Sequence, residues 1–151
     1  ELELQYCYFD CQVVVAYIQE KIESNFNLFE NEPLFEIYTF IHTEQYFNLR
    51  ALEIVRKEND KIYEDIFELI QAFIATGKIQ KISEKDIGET AQLLSSFLIQ
   101  NRDIYIANRK EIVRQNPESG AGSLFALPTD DLALNKILKM SEMLLKNYLN
   151  L

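Results

Sequence analysis

The sequence predicts an all-α domain, a bundle of five to six helices, and three observations carry that expectation. Apolar residues recur at alternating spacings of three and four along most of the chain, the period of a helix with one buried face. Four Gly and three Pro are all that punctuate 151 residues, and apart from Gly88 they fall between the periodic segments. No segment alternates apolar and polar residues for long enough to compete as a strand, and there is no internal repeat.

The first helix is expected from about Glu1 to Asn25, with Leu4, Tyr8, Cys11, Val15, Ile18 and Ile22 on one stripe. Asn25 and Asn27 end it, and Pro33 suits the first turn of the next. The second segment runs from about Leu34 to Lys57 on Leu34, Ile37, Tyr38, Ile41, Gln45, Leu49 and Leu52, with room for a break between Gln45 and Asn48. Asn59 and Asp60 offer an N-cap for a third helix carrying Ile62, Ile66, Leu69, Ile70, Phe73 and Ile74. Gly77 stands where a helix-ending glycine belongs, with Lys78 beside the negative helix end. Ser83 and Asp86 form the start signal of the fourth helix, and Ile82 with Ile87 forms a hydrophobic staple. That helix continues through Ala91, Leu94, Phe97 or Leu98, and Ile104 or Tyr105, to about Val113. Gln115 to Thr129 holds Pro117, Gly120, Gly122 and Pro128 and reads as the one long loop. Thr129 caps the last helix, Asp130 and Asp131 occupy its first turn, and Leu134, Ile137, Leu138, Leu144, Leu145 and Tyr148 follow.

One domain is expected at this length, spanning residues 1–151. The formal net charge is −9, and it is uneven. Residues 1–60 carry twelve acidic and four basic side chains, whereas residues 61–151 carry twelve and eleven. Such a surface repels phosphate backbones, so these residues by themselves are a poor nucleic-acid binder. No apolar run is long enough to span a membrane, and no membrane partner is expected. Glu1 and Glu3 stand where a signal peptide would be basic, and two cysteines without a framework fit a reducing compartment, so a cytosolic location is the expectation.

Catalytic signatures are missing. There is no phosphate-binding glycine loop, nucleophile elbow or calcium loop. His42 is the single histidine, which excludes a multi-histidine metal site. No metal and no other cofactor is expected. Cys7 and Cys11 lie one helical turn apart; a soft metal or oxidation would suit them, but small apolar packing residues is the plainer reading. The abundant carboxylates fall mostly on expected solvated faces.

Two features point to binding. Tyr38, His42 and Tyr46 are spaced four apart on one stripe, flanked by Phe35 and Thr39, and Tyr63 with Phe67 makes a similar pair. With Phe97 they are the candidate lining of a pocket for a small apolar or amphipathic molecule: an apolar wall with a few oriented polar groups. The last helix is apolar over a wide arc that includes Leu132, Met140 and Met143. Leu94, Leu98, Ile137, Leu138, Leu144 and Leu145 are accordingly the candidate dimer-interface residues, the alternative being that this helix is buried within its own chain.

The order of features around Leu69 to Leu98 resembles the C-terminal regulatory domain of TetR-family transcriptional regulators. In that family a long helix ends at a glycine, a short basic-apolar link follows, and a capped helix begins with an acidic residue, then an alanine and paired leucines. The corresponding residues are Gly77, Lys78, Ile79, Ser83, Asp86, Ala91, Leu93 and Leu94. Tyr8 and Phe9, followed by residues 13–22, are similar to the junction with that family's DNA-binding domain, although Asp10, Cys11 and Gln12 stand where a lysine and an acidic residue are usual. Residues 33–59 match in helix number only. The resemblance implies a homodimeric, non-catalytic repressor whose regulatory domain binds a small ligand. The helix from Ser83 and the last helix would build a four-helix dimer bundle, and the first three helices would wall the pocket. A basic DNA-binding module would lie upstream of Glu1. A helical protein-interaction scaffold is the competing expectation.

Overall fold

The computed structural model describes residues 2–30, 32–118 and 131–148, and for residues 2–11, 32 and 148 it describes the helix alone. Among the described residues the fold is an all-α bundle of five helices: α1 (Leu2–Asn27), α2 (Glu32–Glu44), α3 (Leu49–Ala75), α4 (Glu84–Gln115) and α5 (Asp131–Tyr148), with a 3-10 turn at Leu28–Glu30 between the first two. There is no strand among the described residues. The side chains of the cysteine pair, the glycines at 120 and 122, and the expected cap at Thr129 and Asp130 lie outside what is described.

The local start and stop signals operate as their chemistry requires. Ser83 Oγ accepts from the Asp86 backbone N–H at 3.1 Å and donates to the Asp86 carboxylate at 2.5 Å, which satisfies a helix-end donor that has no intrahelical partner. Ile82 and Ile87 pack into the same apolar cluster, as a staple should. At the end of α3 the chain turns at Gly77 with φ of 73°. The amides of Lys78 and Ile79 both return to the Phe73 carbonyl, closing the helix end.

One boundary differs from expectation. The helix start expected at Asn59 and Asp60 does not exist; α3 runs through both residues without a break. The break falls at Gln45–Asn48, and Asn48 is the cap, its Oδ1 accepting from Arg50 N–H at 2.9 Å. Asn59 is unavailable as a cap because its side-chain oxygen accepts from Arg102 on α4 at 3.3 Å. A capping residue acts only where the chain already departs from helix, and nothing interrupts the periodicity here.

α3 and α4 share the most extensive interface, α2 lies on α3, and α1 lies on α5. Two apolar clusters result. One gathers Val14, Ile70, Ile79, Ile87, Ala91, Leu94 and Leu145; the other gathers Phe26, Phe29, Phe35, Tyr105, Ile106, Leu134 and Ile137 among others. Ile18 touches both, so α1 runs along the full core. The candidate dimer residues lie in or against these clusters. Leu94, Ile137 and Leu145 are buried within the single chain, Leu145 completely, and Leu98, Leu138 and Leu144 are half-buried against the same clusters. α1 supplies the second cover that the wide apolar arc of α5 needs. The apolar side chains that α5 leaves exposed are Leu132, Met140 and Met143.

A Cβ at Gly77 would meet nothing within 4 Å, so a substitution there is opposed by backbone conformation alone. Gly77→Ala is expected to destabilise the fold by about 1 kcal/mol, and Gly77→Asn by less, because Asn tolerates the left-handed region better. Urea unfolding checks this: the midpoint falls while the slope stays constant.

Candidate functional site

α4 supplies the residues around which the site is built. Its inward stripe reads Leu94, Leu98, Arg102, Tyr105, Arg109, spacings of four and three in which two positions are arginine. Arg102 is 5% exposed and Arg109 is 2% exposed. A buried guanidinium is tolerated only with charged or hydrogen-bonding partners. Each arginine meets a glutamate from another element, and each glutamate also accepts from a tyrosine.

The first group centres on Glu58 of α3. Its Oε1 accepts from Tyr38 Oη at 2.9 Å, and its Oε2 accepts from His42 Nε2 at 3.2 Å. Arg102 Nη1 lies 3.6 Å from Oε1 and donates to Asn59 Oδ1, while Arg102 Nε donates to Asp103 Oδ1 at 3.2 Å. The Tyr38 and His42 rings stack with centroids 4.1 Å apart and an interplanar angle of 21°. The guanidinium carbon of Arg102 sits 5.6 Å from the Tyr38 ring centre, a cation–π distance. The second group centres on Glu30 of the 3-10 turn, which accepts from Tyr105 Oη at 2.5 Å and pairs with Arg109 Nη2 at 3.0 Å. The rings of Phe26, Phe29, Tyr38 and Tyr105 bridge the two groups through edge-to-face and tilted contacts.

The titrations follow from this geometry. Burial acts to raise the Glu58 carboxyl, but the His42 hydrogen bond, the Arg102 charge and the Tyr38 hydrogen bond outweigh it and hold Glu58 below its usual value. Burial pushes the Tyr38 phenol far up; Arg102 opposes that and Glu58 adds to it. Tyr38 therefore remains a hydrogen-bond donor and Glu58 an anion over the whole neutral range.

Beside the Glu58 group lies a cavity of about 480 Å³, within the range of roughly 300–1,000 Å³ typical of small-molecule sites. Its wall is apolar, from Ile22 and Phe26 of α1, Phe29 of the turn, Ile37 and Ile41 of α2, and Ile62 of α3. Tyr38, Glu58 and Arg102 form its polar end, and Lys61 and Asp65, paired with each other on the surface, also line it. Leu28, Leu34 and Ile37 are half-exposed and face solvent as well as the cavity.

Of the pocket residues expected from sequence, Tyr38 lines this cavity. His42 stands next to it, joined through Glu58 and the Tyr38 ring. Tyr46 does not join them: α2 ends at Glu44, the turn carries Tyr46 away from the stripe, and the residue is 79% exposed. His42 and Tyr46 instead border a separate, more open depression of about 300 Å³ with Asp103 and Lys110. Tyr63 and Phe67 pack against the Ile70–Leu145 cluster, and Phe97 against the Phe26–Ile137 cluster. All three are half-buried against the core and outside this cavity, whereas Leu98 lines it. The sequence reading passed over Glu58, Arg102, Glu30 and Arg109. The signal that points to them is an arginine recurring in register with the apolar stripe of α4.

Among the described residues there is no group of three or more His, Cys, Asp or Glu placed to hold a metal ion, and no helix is long and apolar enough to cross a membrane. No family model, no curated protein and no solved structure matches the chain.

The depressed carboxyl makes stability depend on pH. Glu58 stabilises the fold fully above its usual value of 4.5, and that contribution is lost as pH falls through the lower folded value. Glu58→Gln is expected to destabilise by about 1–3 kcal/mol at pH 7, because Arg102 loses a charged partner. The gap to wild type should narrow below pH 4.5, as wild-type Glu58 takes up its proton. Denaturation of both proteins across pH 3 to 7 checks the narrowing.

Proposed function

We propose that this chain is a non-catalytic ligand-sensing and dimerisation module of the TetR-like kind, holding a small amphipathic molecule in the cavity between α1, α2, α3 and α4. The observation that carries the reading is the cavity: a mostly apolar chamber of about 480 Å³ with one polar end formed by Tyr38, Glu58 and Arg102. A chamber of this make-up orients a ligand by one polar group and holds the remainder by burial. The glycine stop at Gly77 and the capped helix from Ser83, on which the TetR resemblance rests, are both formed. A cytosolic regulator whose DNA-reading module belongs to another part of the protein goes with this reading.

Dimerisation on this reading uses the outer face of α5, because the inner face is committed to the chain's own core. Leu132, Met140 and Met143 are the apolar side chains left there. A non-catalytic interaction scaffold is the second reading, favoured by the exposed Phe40, Phe47 and Leu49 around the α2–α3 turn.

The ligand reading is tested with a neutral fluorescent apolar probe, N-phenyl-1-naphthylamine. Saturable one-to-one binding is expected, with stabilisation of about 2.7 kcal/mol at a hundredfold excess over Kd. Ile62→Trp, which puts an indole into the chamber, is expected to abolish binding while the fold persists. Absence of saturable binding by wild type rejects the sensing reading and leaves the scaffold.

Light scattering at micromolar concentration checks the assembly. A dimer is expected, and Met143→Glu is expected to shift it toward monomer by burying an unpaired charge at the contact. A wild-type protein that is strictly monomeric rejects the TetR-like assembly.

A further inference from the structure

The charges that line the cavity pair off as Lys61 with Asp65 and Glu58 with Arg102, and the second pair is unequal in a way that selects a ligand. The polar side chains of the lining are Asn25 of α1, Tyr38 of α2, Glu58, Lys61 and Asp65 of α3, and Arg102 of α4; His42 and Asp103 stand outside it, bonded to Glu58 and to Arg102. Lys61 and Asp65 neutralise each other at the surface. Arg102 is shared between two carboxylates: Nε is engaged by Asp103, and Nη1 by Asn59 and Glu58. One buried cation thus serves two anions. The Arg102 charge therefore offsets Glu58 only in part.

Accessibility points the same way. The Arg102 side chain is 6% exposed, whereas the Glu58 side chain is 35% exposed. Of the opposite charges at the polar end, the carboxylate is the one a ligand reaches. The hydrogen bonds and charges that hold Glu58 below its usual value keep it an anion at neutral pH. The rings of Phe26, Phe29 and Tyr38 line the same chamber and offer negative π faces to a cation. The chain's net charge of −9 draws cations toward the surface from a distance.

We propose that the cavity takes an amphipathic organic cation, its ammonium-type head against the Glu58 carboxylate and its apolar body along Ile22, Phe26, Ile37, Ile41 and Ile62. The proposal rests on the ligand-sensing reading and adds the sign of the head group. The head donates a hydrogen bond to a carboxylate oxygen and needs no displacement of Arg102. An anionic head at the same place would meet Glu58 and Asp103 with one shared, buried guanidinium to offset them.

Three eight-carbon probes separate the sign from the site: octylammonium, 1-octanol and octanoate, titrated at pH 7 and low salt. Binding is followed by amide chemical shifts of the cavity residues. Octylammonium is expected to bind about tenfold tighter than octanol, as a charge-assisted hydrogen bond requires. Octanoate is expected to bind more weakly than octanol. Glu58→Gln should remove the ammonium preference while octanol affinity is kept. Asp103→Asn leaves the lining untouched and should narrow the preference partly; it carries the test if circular dichroism shows that the Glu58 variant does not fold. Equal binding of octanol and octylammonium, tightest binding of octanoate, or a preference unchanged in folded variants overturns the cationic head and leaves the ligand site standing. Failure of all three probes to move any cavity residue overturns the site and the head group together.

Discussion

The burial of Arg102 is the constraint around which the rest of the structure is arranged. A guanidinium held at 5% exposure on the inward stripe of α4 cannot be left without partners, since an isolated buried charge costs far more than the whole margin of stability. The partners come from three places. Glu58 and Asn59 face it from α3, Asp103 flanks it on α4, and Tyr38 lays its ring over it from α2. The requirement of one side chain therefore sets the register of α2 and α3 against α4. It also explains why α3 continues unbroken through Asn59, whose side chain is turned to the arginine instead of to its own backbone.

The cavity follows from how α2 is held. That helix buries Phe35 and Thr39 and commits Tyr38 and His42 to Glu58. Ile37 and Ile41, on the next part of its surface, are left facing a chamber. An apolar anchor would have drawn α2 down onto α3 and closed the space. A polar anchor fixes distances at hydrogen-bond lengths and lets the apolar side chains beside it stand apart from those of α1 and α3. The Glu30 group does the same for the preceding turn, tying it to Tyr105 and Arg109. α2 and the turn, which both wall the chamber, are thus each tied to an arginine of α4, the two arginines seven residues apart.

How much of this is legible in the sequence depends on the range of each interaction. Gly77, Ser83 with Asp86, and Ile82 with Ile87 act over a few residues, and their roles read directly from local pattern. The helical stripes of α1, α4 and α5 read equally well, because Val15, Ile22, Leu94, Ile137 and Leu145 are buried as their period implies. Asn59 misleads because its role is decided by a residue 43 positions away. Tyr46 misleads because a stripe drawn at helical spacing lapses where the helix ends, two residues earlier. Glu58 and Glu30 look like ordinary surface carboxylates when read alone. Arg102 and Arg109 hold the missing information: charged residues in the register of an apolar stripe demand buried partners, and the two glutamates supply them. The cavity itself has no local signature, since its wall comes from four helices and a turn that meet only in the folded chain.

On the proposed ligand-sensing reading, α1 is the element that reports occupancy. Its C-terminal half lines the chamber through Ile22 and Phe26, while Val14 lies in the other core cluster with Ile70 and Leu145, and Ile18 touches both. A helix packed along its length against two clusters moves as a unit, because close-packed interiors transmit displacement instead of absorbing it. On the proposed reading, a ligand pressing on Ile22 and Phe26 therefore acts on the whole of α1 and on α5, which lies against it. Occupancy shifts the protein only to the extent that the ligand prefers one position of α1 over another. The polar clamps hold α2 and the turn by directional bonds, so on the proposed reading the part of the wall left to yield is α1, which meets the chamber through Ile22 and Phe26.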